Sequence, residues 1–223
     1  MTERPPANLS EELGETKYSM MIEDFGPKVA SVWNDLRSTT RNLMERAWLS
    51  AASGSAVQVA RSLQYDPRAD HELSRLLAAL DARANEAEKP AADEPSHRAR
   101  RLADACATVL AQQTQSAEVF AQLIQRAHQR KEYARVDELA GILPERLAPT
   151  EICELARSNS VVVRALAHEA LTQMPARLLA ALLRDPVDAS VAHIALQRQA
   201  HEYLSEEAQR ILREFEDSGS ESF

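Results

Sequence analysis

Residues 158–178 read SNSVVVRALAHEALTQMPARL, and the fold turns on this stretch. A polar break, Ser158-Asn159-Ser160, opens it. The run Val163 to Leu171 follows with apolar residues at helical spacing, which puts Arg164, His168 and Glu169 outward. Met174-Pro175-Ala176-Arg177-Leu178 closes it and repeats Leu143-Pro144-Glu145-Arg146-Leu147, 31 residues upstream. Downstream, Asp185-Pro186 repeats the polar break, 27 residues after Ser158. A recurring helix, break, helix unit cannot bury its apolar face alone and needs a neighbour to cover it. Proline does not continue a preceding helix, so Pro144, Pro175 and Pro186 are expected to fix the turns.

The same rhythm extends in both directions. Helices are expected over 97–112, 116–129, 132–143, 149–157, 160–173, 176–184, 188–203 and 205–215, with connections of a few residues. Small side chains at Ala167, Ala170 and Ala195 allow close helix approach. Val163-Arg164-Ala165-Leu166-Ala167-His168-Glu169-Ala170-Leu171 resembles the second-helix pattern of HEAT-like helical repeats, and Asp185-Pro186 resembles that family's inter-helix turn. The resemblance covers about residues 116–203. Ser158-Asn159 stands where the family prefers Asp-Pro, and Val191-Ala192 lacks the arginine. The resemblance implies a short α-solenoid with an Asp–Arg ladder between repeats, hence an approach of Asp185 to Arg164. It also implies a partner-binding ridge on the second helices, carried by Arg164, His168, Glu169, His193, Gln197 and Arg198.

The N-terminal half is also helical in character. Pro5, Pro6 and Asn8 place a disordered tail at 1–10, and Ser10 caps the first of the helices expected over 11–84. Gly26-Pro27 is a stop and restart. Val29, Val32, Trp33, Leu36, Leu43, Met44, Ala47, Trp48 and Ala51 then form one continuous stripe. Both indoles lie on it, so the stripe is either core or a self-association surface through Trp33 and Trp48. Val57, Val59, Ala60 and Leu63 add a short apolar piece. Leu73, Leu76, Leu77 and Leu80 mark another buried stripe. Residues 85–96, NEAEKPAADEPS, hold two prolines and four acids with no large apolar residue, the composition of a linker. The boundary is therefore expected there, with a repeat domain over 97–215 and a tail over 216–223.

Composition agrees with an all-α fold, and the short connections with the resemblance imply stacked antiparallel helical hairpins. The 223 residues are 44% hydrophobic and only 4% aromatic, with 5 glycines, which disfavours sandwiches, barrels and nucleotide-binding sheets. The formal net charge is -8, so the chain repels nucleic acid and anionic lipid on average. The arginines at 98, 100, 101, 126, 130 and 135, with Lys131, are the local exceptions. Cys106 and Cys153 lie far apart in apolar helices, the setting of reduced thiols, and their spacing does not demand a disulfide. The first residues carry no basic segment followed by an apolar one, and no apolar run reaches spanning length, so the expected location is the cytoplasm.

No chemical motif stands out. There is no phosphate loop, no nucleophile elbow and no paired-histidine zinc helix. Glu94-x-x-His97 matches a di-iron spacing in letters but sits beside Pro95. His193, Gln197 and His201 share a helix face, the ordinary pattern of a polar surface. The expectation is a non-enzymatic protein with no cofactor and no metal, binding another protein or a second copy of itself. An enzyme or a nucleic-acid binder working on the repeat surface is the further alternative.

Overall fold

The computed structural model describes residues 22–52, 60, 65–86 and 94–220. These form eleven helices and no strand among the described residues. The chain divides into two compact units, the first ending at Gln113 and the second beginning at Thr114. The 1–10 tail, the start of the first expected helix with Met20 and Met21, and Val57, Val59 and Leu63 lie outside the described residues, as do residues 221–223.

The first unit holds α1 (Pro27–Asp35), α2 (Ser38–Ala52), α3 (Ala69–Glu86) and α4 (Glu94–Gln113). Gly26 starts α1 with φ +96, a backbone that L side chains rarely adopt, and Pro27 supplies the first-turn φ. α3 packs on α1, α2 and α4, and α2 packs on α4. Leu73, Leu76, Leu77 and Leu80 of α3 are fully buried, worth roughly 1.5–3 kcal/mol each. Val29, Trp33 and Leu36 from α1 and Leu43, Met44 and Ala47 from α2 join this core. Trp33, at 5% exposure, thus takes the core alternative rather than the surface one.

Two expectations are corrected in this unit. The single helix expected to carry the 29–51 stripe is interrupted at Leu36, whose backbone is extended. Arg37 turns to α3 and its approach, donating from Nε to Glu72 at 2.7 Å and from Nη1 to Asp66 at 2.6 Å. Thr40 donates to the same Glu72. The boundary also falls at 113/114 instead of 85–96. The apolar face of α4 (Leu102, Cys106, Val109, Leu110) is buried, and α4 packs on α2 and α3. Cys106 Sγ also donates to the Leu73 carbonyl at 3.4 Å. A polar, proline-bearing stretch therefore joins two helices of one unit; residues 87–93 of it lie outside the described residues.

The second unit contains α5 (Ala117–Gln129), α6 (Tyr133–Arg146), α7 (Pro149–Ala156), α8 (Val161–Thr172), α9 (Ala176–Leu182), α10 (Ala189–His201) and α11 (Glu206–Ser220). Helix starts follow local chemistry. Ser116 Oγ accepts from the Val119 amide and Ser160 Oγ from the Val163 amide, each at 3.5 Å. Glu151 reaches back to the Ala148 amide at 2.8 Å, with Pro149 at the first helical position. Phe120, Ile124, Leu143, Ile152, Val163, Ala167, Leu171, Leu179 and Leu196 are fully buried.

Packing in this unit follows a regular order. α5 touches α7, α7 touches α9, and α9 touches α11. α6 touches α8, and α8 touches α10. Across these two series, α5 meets α6 and α8, α7 meets α6, α8 and α10, and α10 meets α9 and α11.

Pro144 does not end its helix. It sits in the last turn of α6, which runs on to Arg146 before the Leu147 amide closes on the Leu143 carbonyl at 3.0 Å. One missing N–H is tolerated so near a helix end. α11 likewise continues to Ser220, five residues past its expected end at 215, because no proline interrupts residues 216–220.

Candidate interaction surface

The six expected surface residues separate into groups. α10 buries Val191, Ala192, Ala195, Leu196, Gln199 and Ala200. A helix with that buried arc has two flanks, and Arg198 and His193 occupy opposite ones. Arg198 faces α8: its Nη2 lies 3.3 Å from Glu169 Oε2 and 3.2 Å from Glu202 Oε2. His193 faces α11, with its ring centroid 6.5 Å from that of Phe215. Gln197 is exposed between them. The structure therefore brings Arg198, Glu169 and His168 to the α8–α10 seam and places His193 outside it.

His168 is half-buried at that seam, and its Nδ1 has no hydrogen-bond partner. Burial lowers its pKa below the usual histidine value, and the guanidiniums of Arg198 and Arg164 lower it further. Arg198 is held charged chiefly by its hydrogen bond to Glu202.

Arg164 does not meet Asp185. Its Nη1 donates to the Ser158 carbonyl at 2.8 Å, and Asp185 Oδ1 accepts from the Val187 amide at 2.8 Å. The ion pair between these connections is Arg157–Asp188, at 2.5 Å. Carboxylates flank Pro186 on both sides: Asp185, before it, is spent on the turn, and Asp188, after it, serves the neighbouring connection.

Beside the seam is a corner that sequence patterning missed. Tyr203 and Leu204 follow α10 and are 55% and 73% exposed. Ile194, on the exposed arc of α10, is 45% exposed. Tyr203 donates its hydroxyl to Glu169 Oε1 at 3.1 Å, which anchors the ring. Leu204 has φ +53, a left-handed conformation that an L side chain enters at a cost of about 1–2 kcal/mol. The Ser205 amide then returns to the Gln199 carbonyl at 2.9 Å, fixing the turn. Lys131 has a similar φ of 59 after α5, but there the exposed side chain is an ammonium that water solvates well. At Leu204 an apolar side chain is held in water on a backbone suited to glycine.

The floor of this corner is rigid. Gln199 is 5% exposed and donates from Nε2 to the carbonyls of Thr172 at 3.0 Å and Met174 at 2.6 Å. The Thr172 carbonyl ends α8 and the Met174 carbonyl lies two residues past it, so neither is used by the helix and the glutamine completes a cap from another helix. Gln209 Nε2 donates to the Ala200 carbonyl at 3.1 Å, holding α11 to α10.

In the first unit, the surface indole is Trp48, half-buried, with the Arg101 guanidinium 5.2 Å from the ring centre. Leu49 beside it is 63% exposed. Cys106 and Cys153 are both buried free thiols. Among the described residues no three side chains of His, Cys, Asp or Glu are grouped to hold a metal ion, and no helix is long and apolar enough to cross a membrane. No protein-family model matches the chain, and neither a curated protein nor a solved structure matches it.

Proposed function

We propose that the chain is a non-catalytic protein-interaction module. Its second unit is read as a short stack of antiparallel helical hairpins: α5 with α6, α7 with α8, α9 with α10, and α11 closing the end. The order of packing supports this reading, since alternate helices touch in two parallel series. Buried alanines at 167, 170 and 195 allow the close approach such a stack needs.

The docking surface is the α8–α10 seam with the corner after it: Glu169, Arg198, Gln197, Ile194, Tyr203 and Leu204, flanked by Arg164 and His168. One observation carries the reading. Leu204 takes the left-handed backbone at the end of α10, a place usually given to glycine, while 73% of its surface meets water beside the exposed Tyr203. A contact with another macromolecule gives that leucine its use, and Tyr203 beside it is of the aromatic type that interface centres favour.

The test compares proteins retained from a native-host lysate by wild type and by a Tyr203→Ala/Leu204→Gly variant. A Val161→Ser variant serves as control, since Val161 is equally exposed at the start of α8. Partners retained by wild type and control but lost with the corner variant support the reading. Equal retention by all three overturns it.

A further inference from the structure

We propose that the partner at this corner is a second copy of the chain, which presents the Trp48–Leu49 face of its own first unit. The inference rests on the docking reading above and adds the identity of the occupant.

Charge and shape identify the occupant. Tyr203 donates to Glu169, and Glu202, Glu206 and Glu207 flank Tyr203 and Leu204 in the chain. Arg198 is spent on Glu169 and Glu202, Arg164 on the Ser158 carbonyl, and Arg210, six residues past Leu204, lies 3.9 Å from Glu214, so Glu206 and Glu207 remain the acids beside the corner. The corner is therefore an apolar knob in an acidic frame. Its complement is an apolar face in a basic frame.

The first unit supplies one. Leu49 is 63% exposed, Trp48 is partly exposed, and Arg101 lies over the indole ring. Arg46 is exposed one helical turn before Leu49, and Arg41 lies on the Trp48 flank of α2. Glu45 is the α2 carboxylate between them, and Arg100 and Asp104 neighbour Arg101 on α4. An arginine stacked on an indole presents a flat, weakly hydrated cation, well suited to meet carboxylates and a tyrosine ring.

Each copy carries both halves, so the contact is heterologous and repeats as a ring or a chain. A knob of two residues in a charged frame makes a small interface, hence a weak association that depends on concentration and falls with salt.

Sedimentation velocity of the full chain tests it. Wild type at low salt shows a sedimentation coefficient that rises with protein concentration, and added salt reverses the rise. Glu202→Lys/Glu207→Lys loses the rise, and so does Arg46→Glu/Arg101→Glu. Mixed together, these two variants form a 1:1 complex, because the first keeps an intact basic face and the second an intact acidic corner. Helical circular dichroism equal to wild type confirms that both variants are folded, and Leu204→Gly alone also abolishes the rise. A wild type that sediments as a monomer throughout, or folded variants that give no complex on mixing, overturns the inference. A monomeric wild type that still retains another protein through Tyr203 and Leu204 overturns only the second-copy assignment and leaves the docking reading in place.

Discussion

Arg157 and Asp188 form an ion pair at 2.5 Å that ties the connection before α8 to the connection before α10. Arg157 Nη1 also donates to the Val187 carbonyl at 3.4 Å. The two partners are unequal: the Asp188 side chain is 5% exposed and that of Arg157 is 38% exposed. A carboxylate that deep needs its counter-charge. Arg157→Ala is predicted to destabilise the second unit by about 2 kcal/mol, below a fully buried pair because the guanidinium is half in water. Urea unfolding measures this, and a double-mutant cycle with Asp188→Asn should recover most of the loss as coupling. An Arg157→Ala variant as stable as wild type contradicts the role assigned to the pair.

Gln199 bridges the end of α8 to α10 through two carbonyls. Gln199→Leu keeps the volume and leaves both carbonyls without a donor. A loss of about 1–3 kcal/mol is expected, similar to that of Gln199→Ala, and read from the urea midpoint. A Leu variant more stable than wild type would show that the site values apolar volume above the hydrogen bonds.

Cys153 is buried among α7 residues, and burial, with Asp188 nearby, pushes its thiol up to about 11. Cys106 is buried and donates to Leu73. A chromogenic disulfide reagent at neutral pH should therefore label neither thiol in the native protein and both in denaturant. Rapid labelling under native conditions would contradict the burial of these helices.

The half-buried His168 gives stability a pH dependence near neutrality. Its folded pKa lies below the ordinary value of 6.5, so the unfolded chain binds more protons in between. The stabilisation is fully present above the unfolded pKa and is lost as pH falls through the folded pKa. Melting temperature should thus fall as pH is lowered from 7.5 toward 5.5, and His168→Gln should flatten that part of the profile. An unchanged slope in His168→Gln would assign the dependence to another group.

Much of the helix pattern was legible because its signals are local. Gly26-Pro27, Ser116, Pro149, Ser160 and Pro175 each mark a helix start through their own backbone or side-chain chemistry. The leucine stripe of α3 is read directly from its spacing. What escaped depends on residues distant in sequence. The helix break at Leu36 goes with Arg37 reaching Asp66 and Glu72, 29 and 35 residues away, and the apolar spacing across it gives no local sign of it. The composition of 85–96 reports a polar connection but not that the helices on either side pack together. Asp188 and Asp185 are equally plausible partners by spacing, and only the turn hydrogen bond to Val187 decides between them. Of the candidate surface, Glu169 and Arg198 were legible as outward residues. The corner was not: Tyr203 reads as the end of a helix, and a leucine gives no local sign that it adopts a glycine-like backbone.

The most direct test of the account is the melting temperature of Leu204→Gly against wild type. Relief of the left-handed backbone, less the entropy cost of glycine, should stabilise the second unit by about 0.5–1 kcal/mol, a rise of about 3–6 °C. A rise shows that the leucine is dispensable for folding, as the docking reading requires. A fall in melting temperature would show that Leu204 serves the fold itself and would contradict the docking surface.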